Sequence, residues 1–108
     1  MSPPNDQQQP LRLLPAPKPT TLDMLFRMFG TVLIPLDAVR TELFRNLNED
    51  RFGRQVGTAA IPLPVTTLQE STKALRYIEI HHLAAHIDQR AGQADDVLAK
   101  VLGKEQED

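Results

Sequence analysis

Apolar residues recur at three- and four-residue intervals in several stretches of the chain, separated by short β-branched runs and by prolines. Leu22, Leu25, Phe26 and Phe29 share one helical face, and Gly30 stands where a helix commonly ends, so a first helix is expected over 20–29. Val32, Leu33 and Ile34 form a short strand-like run. Pro35 has no N–H to donate and can only open a helix or a turn. After it, Leu36, Val39, Leu43 and Phe44 give a second helical face, with Asp37 in the first turn, where the helix dipole favours an acid. Asn48 is a good N-cap for a third, short helix that carries Glu49 and Asp50 in its first turn and runs towards Val56 and Gly57. The second and third helices are therefore joined by a tight turn.

Ile61-Pro62-Leu63-Pro64-Val65 cannot be helical with two prolines and is expected as an edge strand or extended linker. Val65 to Leu68 and Leu75 to Ile80 lean towards strand, and the polar stretch Gln69-Glu70-Ser71-Thr72-Lys73 between them suits a hairpin tip. A hairpin in this position, after the second helix of a helix-turn-helix, is a wing. The last element starts near His81 and repeats Leu83, Ile87, Ala94, Leu98 and Val101 at helical spacing, with Gly92 as a weak point that makes it one bent helix or two. The fold class expected is mainly α with a small β-hairpin wing, a winged helix-turn-helix.

Residues 1–19 hold six of the nine prolines and three consecutive glutamines, too little apolar surface to offset ordering entropy, and read as a disordered arm. Leu11, Leu13 and Leu14 within it are either a short docking strip or an incidental patch. The division expected is an arm over 1–19, a domain over 20–90, and a helical extension with an acidic tail over 91–108. Cysteine is absent, which excludes disulfides and thiolate zinc sites, as in a protein of a reducing compartment. No apolar run approaches the roughly 20 residues of a membrane span, and the polar N-terminus is unlike a signal peptide. A cytoplasmic, nucleoid-associated protein is expected. The net charge of −2 argues mildly against nucleic acid, but the charge is segregated: Arg51, Arg54, Lys73 and Arg76 face one acid, Glu70, in the middle of the chain, while the stretch after Asp95 is acidic.

A helix entering the major groove needs long hydrogen-bond donors on its exposed side. Arg51, Arg54 and Gln55 meet that need on the third helix, with Arg45 and Asn48 at its approach; the competing reading is the solvated side of an amphipathic helix. Ser71, Thr72, Lys73 and Arg76 at the wing offer hydroxyls and cations of the kind that hold phosphate oxygens without reading sequence. His82 and His86 share a helical face, next to His81, yet spacing supplies no third metal ligand and no HExxH pattern occurs. Ser71 and Thr72 have no His-Asp arrangement around them, and no glycine-rich phosphate loop occurs. Neither an enzyme nor a cofactor or metal is expected.

The ordered series Phe29-Gly30, Ile34-Pro35-Leu36-Asp37-Ala38-Val39-Arg40, Phe44, Leu47, Phe52, Arg54, Val56, Ile61, Leu63-Pro64-Val65, Glu70-Ser71, Lys73-Ala74 and His82-Leu83-Ala84-Ala85 resembles the pyocin activator family over about residues 22–90. It departs at Thr58-Ala59-Ala60, where family members tend to carry glycine. A looser likeness runs to AlpA-type and excisionase proteins, and implies a winged helix-turn-helix of the MerR/excisionase-like kind, which bears on the fold more than the role. The resemblance implies a transcription activator that binds double-stranded promoter DNA of bacteriocin or prophage genes, with RNA polymerase as a further partner and no small-molecule substrate. The alternatives are an excisionase-like architectural protein and an antirepressor-like interaction module that never touches DNA. A homodimer is expected, because one small winged domain makes few base contacts, with Ile87, Ala94, Leu98 and Val101 as the oligomerisation stripe.

Overall fold

The computed structural model describes residues 14–107, with side chains through residue 104. Leu11 and Leu13, in the N-terminal arm, lie outside the described residues. Helix α1 spans Pro19–Phe29 and closes on Gly30, whose φ of 73° is the left-handed conformation that glycine adopts without a Cβ clash. Its start is one residue earlier than expected. Lys18 is its N-cap without a side-chain cap of its own. The cap comes instead from Asp88, far along the chain, whose Oδ2 accepts the Lys18 N–H at 2.8 Å while Oδ1 accepts the Thr21 hydroxyl at 2.7 Å. Those two hydrogen bonds hold the Asp88 carboxyl below its ordinary value.

Strand β1 (Leu33–Pro35) passes directly into helix α2 (Leu36–Leu43), for which Pro35 is the N-cap residue. A turn in which the Leu47 N–H donates to the Phe44 carbonyl leads to helix α3 (Glu49–Gln55). The expected Asn48 cap is present: its Oδ1 accepts the Arg51 N–H at 2.7 Å. Strand β2 (Tyr77–Glu79) pairs antiparallel with β1, setting Ile34 opposite Ile78, and the Ile80 N–H donates to the Val32 carbonyl at 2.8 Å. Helix α4 (Ile80–Glu107) follows as one continuous helix of 28 residues, and Gly92 does not interrupt it. The Glu79 Oε1 caps it by accepting the N–H groups of His81 and His82.

Ile34, Val39, Phe52, Leu63, Ile78, Leu83 and Ala84 form the fully buried centre, with Leu22, Phe29, Leu36, Phe44 and Ile87 packed around it. Two expected core positions fall outside it. Phe26 and Leu43 are exposed, because α1 and α2 each press a narrower face onto the small core than a full amphipathic stripe would. The wing also differs from a regular hairpin. Only Thr66 and Tyr77 bridge, through paired N–H to carbonyl bonds of 2.8 and 2.9 Å on the edge of β2 away from β1, and Pro62 and Pro64 have no N–H to extend that pairing towards Ile61. The Ile61 to Val65 segment is an extended linker whose Ile61 and Leu63 are buried. The result is a mainly helical, small winged-helix fold with a two-stranded antiparallel sheet.

Phe52→Ala removes the largest fully buried side chain, and should cost about 3 to 5 kcal/mol in urea unfolding. A second expectation concerns acid. Burial pushes the His86 imidazole below its usual 6.5, with the Arg90 charge adding to the effect, so the folded chain binds fewer protons there than the unfolded one and stability falls as pH drops below that value. Burial also pushes the Glu79 carboxyl up, but the hydrogen bond and charge of His81 and the His82 N–H outweigh it and hold it below 4.5. Its capping contribution is present above that value and is lost as pH falls through the folded one. Urea midpoints should decline from about pH 8 to about pH 5, and His86→Gln should flatten the decline.

Candidate nucleic-acid interface

Helix α3 is too short to persist by itself and is held by what its inner face buries. Phe52 drives into the core and meets Phe44 of the preceding turn with ring centroids 5.1 Å apart, while Val56 is buried at the helix end. Arg40 stabilises the turn between α2 and α3 by donating to the Leu47 carbonyl at 3.2 Å and to Asp37 at 3.0 Å. These contacts fix which side of α3 faces outward.

On that outer side Arg51 and Arg54 are exposed, three residues apart and hence on one face. Arg54 pairs with Asp50 at 3.2 Å, a fully solvated i,i+4 pair of small energetic weight. Arg51 makes no ion pair among the described residues. Gln55 is half-buried, and its carbonyl accepts the Thr58 hydroxyl at 2.6 Å, so the helix ends in a tight turn through Gly57 at φ 83°. The Asn48 side-chain Oδ1 is engaged in the cap, accepting the Arg51 N–H. Arg45 is exposed in the turn after α2, donating to the Thr41 carbonyl and lying 3.7 Å from Glu42.

The wing loop, residues 67–76, stands beside α3. Ser71, Thr72 and Lys73 are exposed, with the Ser71 hydroxyl accepting the Lys73 N–H at 3.1 Å. Arg76, expected with them as a phosphate-binding side chain, reaches back instead and donates to the Gly53 carbonyl at 3.4 Å. A Cβ at Gly53 would come within 3.2 Å of that guanidinium, so the missing side chain permits the close approach. Sequence reading missed this latch, and also Leu68 and Leu75, both strongly exposed at the base of the wing. A cavity of about 350 Å³ lies between α2, α3 and the wing, lined by Leu36, Arg40, Glu49, Gly53 and Leu75 among others. The Gly53-Arg76 pair had one legible signal, a glycine inside an otherwise helical run.

His81 pairs with Glu79, and His82 and His86 lie half-buried on α4 with Nδ1 atoms that have no partner among the described residues. No group of three His, Asp or Glu side chains among the described residues is placed to hold a metal. Among the described residues no helix is long and apolar enough to cross a membrane.

A helix pair joined by a tight turn, a short second helix that presents Arg51 and Arg54 outward and a flanking wing loop define a small winged helix-turn-helix domain. The chain belongs to the family described as pyocin activator protein PrtN, whose model matches residues 21–94. That is a family of regulatory activators, not of enzymes. Comparison with curated proteins and with solved structures finds no match.

Cutting the latch with Arg76→Ala should leave global stability within about 0.5 kcal/mol, because the contact is exposed. Amide exchange of the wing loop should nevertheless speed up relative to α3 and the core. Unchanged exchange in the loop would show that the Thr66-Tyr77 bridge holds it alone.

Proposed function

We propose that this chain is a sequence-specific DNA-binding activator of bacteriocin- or prophage-type promoters, with α3 as its recognition helix in the major groove. The observation that carries the reading is the outward face of α3, where Arg51 and Arg54 project from a helix anchored by Phe52 and flanked by a polar wing. Membership of an activator family supports the regulatory role. In this reading Arg51, Arg54 and Gln55 reach base edges, Arg45 and Asn48 lie at the backbone beside the helix start, and Ser71, Thr72 and Lys73 hold phosphates across the wing. Arg76 acts chiefly by setting the wing's angle to α3, and its guanidinium contributes positive potential to the same surface.

A protein-interaction role is the second reading. It is favoured by the acids beside the interface, since Asp50 and Glu42 partly neutralise Arg54 and Arg45 and the net charge is −2. Anisotropy titration of the purified chain with labelled DNA from its own upstream region and with random DNA, across a range of salt, separates the two. Binding that weakens with salt and prefers the upstream DNA supports the first reading. Absence of binding to either DNA at low salt supports the second.

On the DNA-binding reading, Arg51→Ala or Arg54→Ala should cost about 1 to 3 kcal/mol at the preferred site and little on random DNA. Lys73→Ala should weaken binding to both alike and make the salt slope shallower by about one unit. An unchanged slope would take the wing out of the interface.

A further inference from the structure

Helix α4 does two things with one face. Ile80 and Ala84 are buried in the domain core and Ile87 is half-buried against it. Counting onward in steps of seven from Ile80 and from Ala84 reaches Ile87, Ala94 and Val101, and Ala91 and Leu98. The seam that packs the core therefore continues along the same side of the helix. The domain does not. Asp88 hydrogen-bonds to the start of α1, and every residue from 89 to 102 is exposed. Leu98 is 57% exposed and Val101 47%, flanked by Val97 and Leu102, which are exposed to a similar degree. The helix does not fold back to cover them.

We infer that this seam is the interface of a symmetric dimer, covered by the same segment of a second copy running antiparallel. Three features of the chain select that occupant. Because the exposed seam lies on the side of α4 that carries its own domain, a covering helix must approach from that side and stop short of Asp88. A parallel copy would bring its domain into the volume the first already fills. An antiparallel copy carries its domain past the far end of the helix, where nothing stands in the way. The seam is also graded in size, with Ala91 and Ala94 nearer the domain and Leu98, Val101 and Leu102 further out. Antiparallel pairing lays the small end of one copy on the large end of the other and fills the gap, whereas parallel pairing sets alanine against alanine. Finally, a two-fold partner covers both exposed seams with one contact, as an isologous interface requires.

A pair centred between Val97 and Leu98 overlaps over residues 91–104. The two domains then sit at opposite ends of the overlap, related by a two-fold axis. On the DNA-binding reading that symmetry implies an inverted-repeat site, but the dimer itself does not rest on that reading.

The chain has no cysteine, so a single introduced thiol reports the geometry cleanly. In the full-length protein, Leu98→Cys lies beside its own copy across the axis and should form a disulfide-linked dimer on mild oxidation. Ala91→Cys stands roughly 20 Å from its copy in this arrangement and should not. Equal cross-linking at both positions would overturn the antiparallel register. Sedimentation of the wild type at tens of micromolar should show a dimer, and the Leu98→Glu/Val101→Glu variant should be a monomer with unchanged far-ultraviolet helicity, its association weakened by more than about tenfold. A wild-type monomer at that concentration, or a dimer that survives the double substitution, would overturn the proposal. These readouts contain no DNA, so a dimer without DNA binding would leave this inference standing and sink the proposed function instead.

Discussion

The pairing of Ile34 with Ile78 is the contact on which the rest of the molecule depends. Both side chains are fully buried at the centre of a two-stranded sheet of three residues each. The loop they close spans more than forty residues and costs on the order of 3 kcal/mol in chain entropy beyond a constant. Burying two isoleucines, at roughly 1.5 to 3 kcal/mol each, offsets it. Everything else is hung from the two ends of this clasp. Helix α2 begins at the residue after β1, helix α4 at the residue after β2, and the helix-turn-helix and wing are the chain between them. The Ile80 to Val32 hydrogen bond extends the clasp by one more link, so the start of α4 is set by the same pairing that positions α2.

This arrangement lets a seven-residue helix present charge to the outside. Helix α3 contributes Phe52 and Val56 inward, and Phe44 and Leu47 close over it from the turn. With its inner face committed, Arg51 and Arg54 can point outward without being needed for folding. Two hydrogen-bonded contacts tie the wing down, the Thr66-Tyr77 bridge and the Arg76-Gly53 contact. Both attach to strongly positioned elements, β2 and α3. The loop tip thus keeps local freedom while its root is fixed, which suits an element that follows a backbone surface rather than reading it.

Helix α4 joins the interior of the domain to its exterior. Its first turns complete the core, Asp88 reaches across to cap α1, and the remaining turns project with an uncovered apolar side. The two capping carboxylates bracket the packed turns of α4, Glu79 at their start and Asp88 at their end, and both are held below their ordinary values, Glu79 by the hydrogen bond and charge of His81 and the His82 N–H, Asp88 by the Lys18 N–H and the Thr21 hydroxyl. Acid therefore reaches these two caps only below the ordinary carboxylate range, after the half-buried His86 has already begun to favour the unfolded chain.

Local chemistry was enough to read much of this from the chain. Gly30 at the end of α1, Pro35 before α2 and the Asn48 cap of α3 each act through neighbouring backbone groups, so their consequences are written within a few residues of themselves. The short helix pair, the outward Arg51 and Arg54, and the apolar spacing of the last helix follow from the same periodicity. What the sequence could not decide is which apolar face gains a partner and which polar group meets a distant one. Phe26 and Leu43 fit the helical stripe and yet lie outside the core, because a core this small covers only part of each stripe. The Leu75 to Ile80 stretch reads as the second arm of a wing hairpin with Val65 to Leu68, yet the tertiary fold gives β2 its ladder with β1 and leaves Thr66 a single bridge. The Asp88 cap on α1 and the Arg76 contact with Gly53 join residues whose separation along the chain carries no periodic signal. Such contacts are selected by the shape of the assembled core, since only there do these groups come within hydrogen-bonding distance.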